Sequence, residues 1–460
     1  MLYLLIRWIA TVALRWFYRG VEVDGLERIP ASGPVLLTVN HPNALVDVLA
    51  VTTALRRRVT LTGKAVLFDN PALRFFLPRI GFVPLRRAKD EAPHDPASPV
   101  DASRNAEAFR AIHDALGKGA AVLIFPEGIS HNDPSLAPLK TGAARIALQA
   151  RDERGIHDLS IVPVGLTFEL KWRPRTRIFI HVGEPIALDA WRPSPEDAAA
   201  TSAEHLTREI DTRLRALTLN FPTADEAERI LGVARLLAGV FDEPRPLDAP
   251  DPPLGEQMRI VRRIEHVRDT LPAAASVRAR HFLDRLEALR VTLARRAIVA
   301  NEIGLSPALR HGAIFAVREG AIIALLGPVA WWGRINHWIP IAFTRTLARH
   351  RSTSPEDPAM NTLVIGVFLV LAAYAAQAAL VWHWAGARWA LIYLLSLPAA
   401  ATWDLRFRDR MTRARQRMRT YFRFRRDPAL KTRLLTEVQW LRAEAIALET
   451  ITDASSLARR

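Results

Sequence analysis

Between residues 20 and 220, short apolar runs alternate with stretches of helical periodicity. The runs lie at 35–39, 59–62, 121–125, 161–164 and 178–182. Each is a few aliphatic, often β-branched residues closed off by breakers, the pattern of a strand buried on both faces. Apolar positions at helical spacing fall near 44–55, 71–77, 105–116, 142–149 and 198–217. This alternation predicts an α/β fold, a mostly parallel sheet flanked by helices. Residues 88–103, rich in Ala, Asp, Pro and Ser, read as a mobile loop.

The pattern differs on either side of this block. Residues 1–19 are apolar apart from Arg7, Arg15 and Arg19, which share about 120° of a helical wheel. A span needs about 20 apolar residues, so this stretch predicts an amphipathic helix lying in a membrane interface. A signal peptide is the alternative, but no small-residue cleavage site follows Tyr18-Arg19-Gly20. Residues 222–310 are rich in Ala, Leu, Arg and Glu and form a helical accessory region. Pro244, Pro246, Pro250, Pro252 and Pro253 mark a linker there. The amphipathic pattern over 258–298 predicts a helical hairpin broken near Pro272.

Residues 311–403 carry membrane-embedded segments. The stretch 362–384 is long and uncharged enough to span. Residues 389–403 follow after Gly386-Ala387-Arg388 as a shorter arm holding Pro398, so the hairpin either spans fully or re-enters. Residues 320–343 are interrupted by Pro328, Arg334 and Pro340 and read as interfacial or re-entrant, with Trp331, Trp332 and Trp338 at headgroup level. Residues 404–460 read as a basic helical tail. Its first part, 404–426, has ten arginines against two aspartates, which places it in the cytoplasm by the positive-inside rule.

Composition narrows the partners. Half of the 460 residues are hydrophobic and the net charge is +16. High apolarity with strong positive charge points to anionic membrane lipids, not nucleic acid. The absence of cysteine excludes disulfides, cysteine nucleophiles and thiolate metal sites; neither a metal nor a cofactor is expected.

Two of the strand ends carry chemistry. The run 35–39 leads into Asn40-His41-Pro42-Asn43-Ala44-Leu45-Val46-Asp47, and the run 121–125 into Pro126-Glu127-Gly128-Ile129-Ser130-His131. Ligands of α/β sheets sit at the carboxyl ends of strands. A neutral imidazole takes a proton from a hydroxyl near neutral pH, and a carboxylate holds the ring and steadies the charge that forms. Six residues turn about 240° around a helix, so His41 meets Asp47 only if His41 lies in the turn and Asp47 in the first turns of the next helix. The alternative is that His41 caps a helix and Asp47 is a surface acid. Lys64, Arg86 and Arg87 are phosphate-binding candidates, or a solvated basic face. The segment 73–80, with large apolar groups among basic ones, is either core or an acyl channel wall.

Four stretches occur in the order of the four blocks of the glycerolipid acyltransferase family, which this chain resembles across 40–165. They are Asn40-His41 to Asp47, Gly81 to Arg87, Phe125-Pro126-Glu127-Gly128 and Ile161-Val162-Pro163-Val164. The resemblance implies that His41 is the general base and Asp47 its partner. It implies that Arg87, Glu127 and Gly128, with Asn40 and Pro126 in the same blocks, belong to the acceptor-phosphate region, and that Pro163 lies near the acyl donor. Two features depart from the usual blocks. Five residues instead of four separate His41 from Asp47, and the third block continues Ile129-Ser130-His131 where Thr-Arg-Ser is usual. Both resemble a branch of fungal glycerol-3-phosphate and dihydroxyacetone-phosphate acyltransferases, as does Pro138-Leu139-Lys140-Thr141-Gly142. Lys140 is the candidate for the positive charge that the third block lacks.

The resemblance thus implies a membrane-bound O-acyltransferase of phospholipid synthesis. Acyl-CoA or acyl carrier protein is the expected donor and glycerol-3-phosphate or lysophosphatidate the expected acceptor, at an inner membrane with the catalytic domain on the cytoplasmic side. Another lysophospholipid acceptor, or a catalytically silent membrane scaffold, is the alternative. A serine hydrolase using Ser130 is disfavoured because no Gly-x-Ser-x-Gly elbow exists in the chain.

Overall fold

The five apolar runs pair into one sheet. The structure is a computed structural model that describes residues 2–65, 69, 74–75, 77–85, 106–193, 200–240, 253–352 and 357–458. These divide into two compact units, Met1–Pro222 with Ile341–Leu371, and Thr223–Pro340 with Ala372–Arg460.

The first unit holds an eight-stranded mixed sheet. Its strands are β1 (Gly20–Asp24), β2 (Val35–Val39), β3 (Val59–Lys64), β4 (Phe82–Leu85), β5 (Ala121–Ile124), β6 (Ser160–Phe168), β7 (Arg177–Val182) and β8 (Ile186–Ala187). They run in the order β1-β7-β6-β2-β5-β3-β4, with β8 paired to β6. Every pairing is parallel except β6 with β7 and β6 with β8. The mostly parallel α/β sheet is therefore present as the sequence predicts. Strand β2 sits at its centre with all five residues buried. Val35, Leu37 and Val39 join one core, and Leu36 joins the core on the opposite face.

Helices α1 (Leu2–Phe17) and α2 (Ala44–Ala54) cover the first face, and α3 (Ala106–Gly117), α4 (Gly142–Asp152) and α5 (Ser202–Leu217) the second. The N-terminal helix is docked more closely than its interfacial pattern suggests. Its Leu14 and Phe17 are buried in the sheet core. Arg7 caps α2 through the carbonyl of Leu55, so one of the three arginines does an internal task. Leu4, Leu5 and Trp8 stay exposed, which leaves an apolar edge for a lipid surface. The expected helix at 71–77 lies mostly outside the described residues, as do Arg86, Arg87, the loop 88–103 and the proline linker.

The second unit is helical. It contains α6 (Ala224–Val240), α7 (Leu254–Thr270) and α8 (Ser276–Arg295); the break near Pro272 separates the last two as expected, but α7 packs chiefly against α6 and not as a hairpin with α8. Two long helices, α9 (Leu309–Arg351) and α10 (Asp357–Ala385), begin in one unit and end in the other, and α11 (Ala387–Arg426) and α12 (Pro428–Ala458) complete the chain. Among the described residues α9 and α10 are long and apolar enough to cross a membrane.

Two further expectations are corrected here. The stretch 320–343 is not broken; it lies inside the 43-residue α9, which runs through Pro328 and Pro340. Its interrupting charge, Arg334, pairs with Asp404 of α11 at 3.0 Å, so the ion that argued against a continuous apolar helix is neutralised by a neighbour. Likewise 389–403 is no short arm. It is the first part of the 40-residue α11, which passes Pro398 into the basic stretch. Packing against a neighbouring helix is what lets a proline sit inside such a helix. Gly333 shows how close the approach is, since a Cβ there would stand 2.3 Å from the Ala400 carbonyl oxygen.

Candidate active site

The register of the sheet brings the two polar strand ends together. Thr38 pairs with Ile124, so the turn leaving β2 and the loop leaving β5 emerge side by side at the carboxyl edge. In the β2 turn, His41 Nδ1 stands 2.9 Å from Asp47 Oδ2. Asp47 lies in the first turns of α2 and His41 before them, the only arrangement the spacing allows. The same Oδ2 accepts the Asn43 N–H at 2.7 Å, tying the carboxylate to the N-cap. Ala44, the first helical residue, has a left-handed backbone with φ +45°. That twist folds the five intervening residues back so that the acid still reaches the ring, at a local strain of about 1–2 kcal/mol.

Asp47 is fully buried. Burial pushes its carboxyl up from the ordinary range; the His41 hydrogen bond and charge, the Asn43 N–H and the Lys171 ammonium pull the other way. His41 stacks on Phe125, with centroids 3.8 Å apart and planes 13° apart. One ring face is therefore packed and Nδ1 is engaged. Nε2 has no hydrogen-bond partner among the described residues, on a side chain that keeps 10% exposure.

Glu127 joins the two loops. Its Oε1 accepts the His41 backbone N–H at 2.6 Å. Its Oε2 accepts the Ala137 N–H at 2.8 Å and contacts His131 Nε2. The His131 N–H in turn donates to the His41 carbonyl at 3.3 Å, and Ser130 Oγ accepts the Ala44 N–H at 3.0 Å. Both oxygens of Glu127 are thus engaged within the two loops, and the side chain keeps 2% exposure. Asn40 also turns to the backbone. Its side chain donates to the Leu166 carbonyl at 3.1 Å and accepts the Leu166 N–H at 2.6 Å. The amide continues the β2–β6 ladder one residue beyond the strand.

Pro126 is buried, and its carbonyl accepts the Lys140 N–H at 2.8 Å. Gly128 has φ +73° and lies under the Lys140 stem. Lys140, exposed at its head, thus borders the loop that holds Glu127. Pro163 lies in β6 opposite Thr38. Arg87 lies outside the described residues.

The family model "Acyltransferase" matches residues 20–167, the span that contains both loops and the central strands. This matched span resembles an acyltransferase domain. Over 133 residues the chain is 34% identical to glycerol-3-phosphate O-acyltransferase 2 of Saccharomyces cerevisiae, 29% of this chain and 18% of that one. Over 138 residues it is 29% identical to a chloroplastic 1-acyl-sn-glycerol-3-phosphate acyltransferase of Brassica napus, 30% of this chain and 36% of that one. The chain therefore spans well under two thirds of these relatives. The crystal structure of the 1-acyl-sn-glycerophosphate acyltransferase of Thermotoga maritima overlaps 45% of this chain and 76% of its own at TM-score 0.33 and 19% identity.

Three residues around this site escaped the sequence reading. Tyr18, fully buried at the end of α1, donates its hydroxyl to the Lys171 carbonyl at 2.9 Å and accepts from Asn43 Nδ2 at 3.1 Å. Burial holds that hydroxyl in its neutral form, far above the usual phenol range. Lys171 in the β6–β7 turn donates its ammonium to Asn132 Oδ1 at 3.0 Å. Arg175 of the same turn reaches the Arg15 carbonyl at 2.9 Å and the Trp16 carbonyl at 3.2 Å, capping α1. The signal available was a dense basic turn, Lys171-Trp172-Arg173-Pro174-Arg175, next to the fourth block. What it lacked was any link to residues some 130 to 155 positions earlier.

Proposed function

We propose that the protein transfers a fatty acyl group from a thioester to the hydroxyl of a glycerol phosphate acceptor. The observation that carries the reading is the buried Nδ1–Oδ2 pair on the carboxyl edge of an acyltransferase domain, with Nε2 left for a substrate proton. Glycerol-3-phosphate and 1-acylglycerol-3-phosphate name the activities of the relatives, and either fits as acceptor.

In this reading Nε2 removes the acceptor hydroxyl proton as that oxygen attacks the thioester carbonyl. Nδ1–H stays with Asp47, whose charge stabilises the imidazolium. The tetrahedral intermediate collapses with cleavage of the C–S bond, and the proton passes from Nε2 to the thiolate. An ester and a free thiol leave, and His41 is returned neutral. No acyl-enzyme is formed, because the acceptor oxygen is the nucleophile. The donor, acyl-CoA or acyl carrier protein, is a substrate and not a bound cofactor. Arg87 and Lys140 serve as cations for the acceptor phosphate, holding its hydroxyl in line. The apolar helices embed in an inner membrane with the basic stretch 404–426 on the cytoplasmic side, where such donors are found.

The test is purified full-length protein given radiolabelled acyl donor and a panel of glycerol phosphate and lysophospholipid acceptors. Wild-type protein forms labelled product, and His41→Ala abolishes turnover without changing the fold. A His41→Ala rate near that of wild type removes the mechanism; wild-type protein that acylates no acceptor removes the function.

A further inference from the structure

The β6–β7 turn, residues 169–176, brings a lysine to the site from the far side of the chain. Lys171 is attached at both ends. Its carbonyl accepts from the Tyr18 hydroxyl at 2.9 Å and faces Asn43 Nδ2 at 3.5 Å, which fixes its backbone against the turn that carries His41 and Asp47. Its ammonium donates to Asn132 Oδ1 at 3.0 Å. Asn132 follows His131, the residue bonded to both Glu127 and the His41 carbonyl.

The turn beneath it is held in shape. Thr176 Oγ1 donates to the Leu170 and Arg173 carbonyls, both at 2.9 Å, Glu169 N–H to the Arg177 carbonyl at 3.0 Å, and Arg175 caps α1. A flexible, half-buried side chain thus starts from a fixed point beside the catalytic turn and ends at Asn132 in the β5–α4 loop.

The other cation described in the β5–α4 loop, Lys140, lies with its stem across Gly128. Lys171, not Lys140, is among the charges that act on Asp47. A cation whose field reaches the catalytic acid suits an anion carried close to the reacting oxygen. In a glycerol phosphomonoester the phosphate is a few bonds from the hydroxyl. In coenzyme A the phosphates are separated from the thioester by the long pantetheine arm.

We propose that Lys171 binds the phosphate of the glycerol phosphomonoester acceptor, lying across the gap between the β2–α2 turn and the β5–α4 loop. The proposal rests on the acyl-transfer reading and adds to it a cation that lies outside the four blocks. Phosphate binding replaces or shares the Asn132 hydrogen bond, and the ammonium then sets where the hydroxyl meets Nε2.

The experiment compares Lys171→Gln and Lys171→Arg in the full chain. Gln keeps a donor for Asn132 and loses the charge; Arg keeps the charge. The acceptor KM is measured with glycerol-3-phosphate and with lysophosphatidate, the donor KM beside it, and glycerol-3-phosphate binding at equilibrium without donor. Lys171→Gln is expected to raise the acceptor KM and weaken binding by about 10- to 100-fold. Lys171→Arg should stay within about threefold of wild type, and the donor KM should not move. A rise with both acceptors assigns the shared phosphate to Lys171; a rise with one names that acceptor as the one seated there. An acceptor KM for Lys171→Gln within twofold of wild type, or a shift confined to the donor KM, overturns the proposal. If wild-type protein binds glycerol-3-phosphate through Lys171 yet transfers no acyl group, the phosphate site stands and the catalytic reading falls. If it binds no phosphomonoester, the site falls too.

Discussion

Replacing Asp47 by Asn tests the centre of the mechanism while changing almost nothing in shape. The carboxamide oxygen can still accept the Asn43 N–H now bonded at 2.7 Å. An oxygen in the place of Oδ2 also keeps the His41 Nδ1–H, now at 2.9 Å, and the amide nitrogen takes the place of Oδ1, which has no hydrogen-bond partner among the described residues. The ring proton therefore stays on Nδ1, and the loss falls on the charge: the imidazolium formed during transfer has no counter-charge. Two unit charges at that distance, in an effective dielectric of about 20, interact by about 6 kcal/mol. At about 1.4 kcal/mol per decade this caps the loss near 10⁴-fold. Residual interaction with the amide dipole and solvent brings the expected fall in kcat to about 10²- to 10⁴-fold.

The assay is thiol release from the acyl donor, and a chain without cysteine contributes no thiol of its own. Stability should move little at neutral pH, within about 1 kcal/mol, since the shape and both hydrogen bonds are kept. Its pH dependence carries a sign. Asp47's folded pKa is raised by burial, so its contribution is fully present below the unfolded carboxylate pKa, about 3.9, and is lost as pH rises through the folded value. The stability of Asp47→Asn relative to wild type should therefore climb across that window and then level off. A variant within tenfold of wild-type kcat, with its melting transition intact, would refute the reasoning.

Other substitutions probe how the site is held. Ala44→Gly removes the left-handed strain at φ +45° and should raise stability by about 0.5–1 kcal/mol, read by denaturant melting; a loss of stability would show that the twist carries no strain. Asn40→Leu leaves the Leu166 N–H and carbonyl unpaired at 3% exposure. It should cost about 2–4 kcal/mol in denaturant melting, and a cost under about 0.5 kcal/mol would show that the Asn40 amide does not hold the two strands. Gly128→Ala meets both φ +73° and a Cβ 3.1 Å from Lys140 Cε. About 1 kcal/mol is expected, together with a higher acceptor KM if the displaced lysine contacts phosphate; unchanged stability would mean that the loop relaxes freely.

The sequence by itself determined the α/β class, the central strands and the two polar strand ends. Strands β2 and β5 are buried on both faces and so read as unbroken apolar runs, whatever packs against them. The strands it missed lack that signal: β1 (Gly20–Asp24) is a half-exposed edge, β4 (Phe82–Leu85) is four residues long with an internal proline, and β8 has two residues. The meeting of His41 with Asp47 was implied by the family resemblance, and the six-residue separation set the geometry it required.

Tertiary structure alone decided what the polar groups around that pair are for. Asn40 and Glu127 look like ligand contacts in the sequence, and pairing with Leu166, His41 and Ala137 turns them inward. Arg334 looks like a break in an apolar helix until Asp404 lies beside it. Tyr18 and Lys171 are about 150 residues apart in the chain and adjacent in space, because the β6–β7 turn folds back against the end of α1. Local periodicity reports which face of an element is buried. It carries no information about which distant element supplies the partner, since that is fixed by sheet order and register, and those are properties of the folded whole.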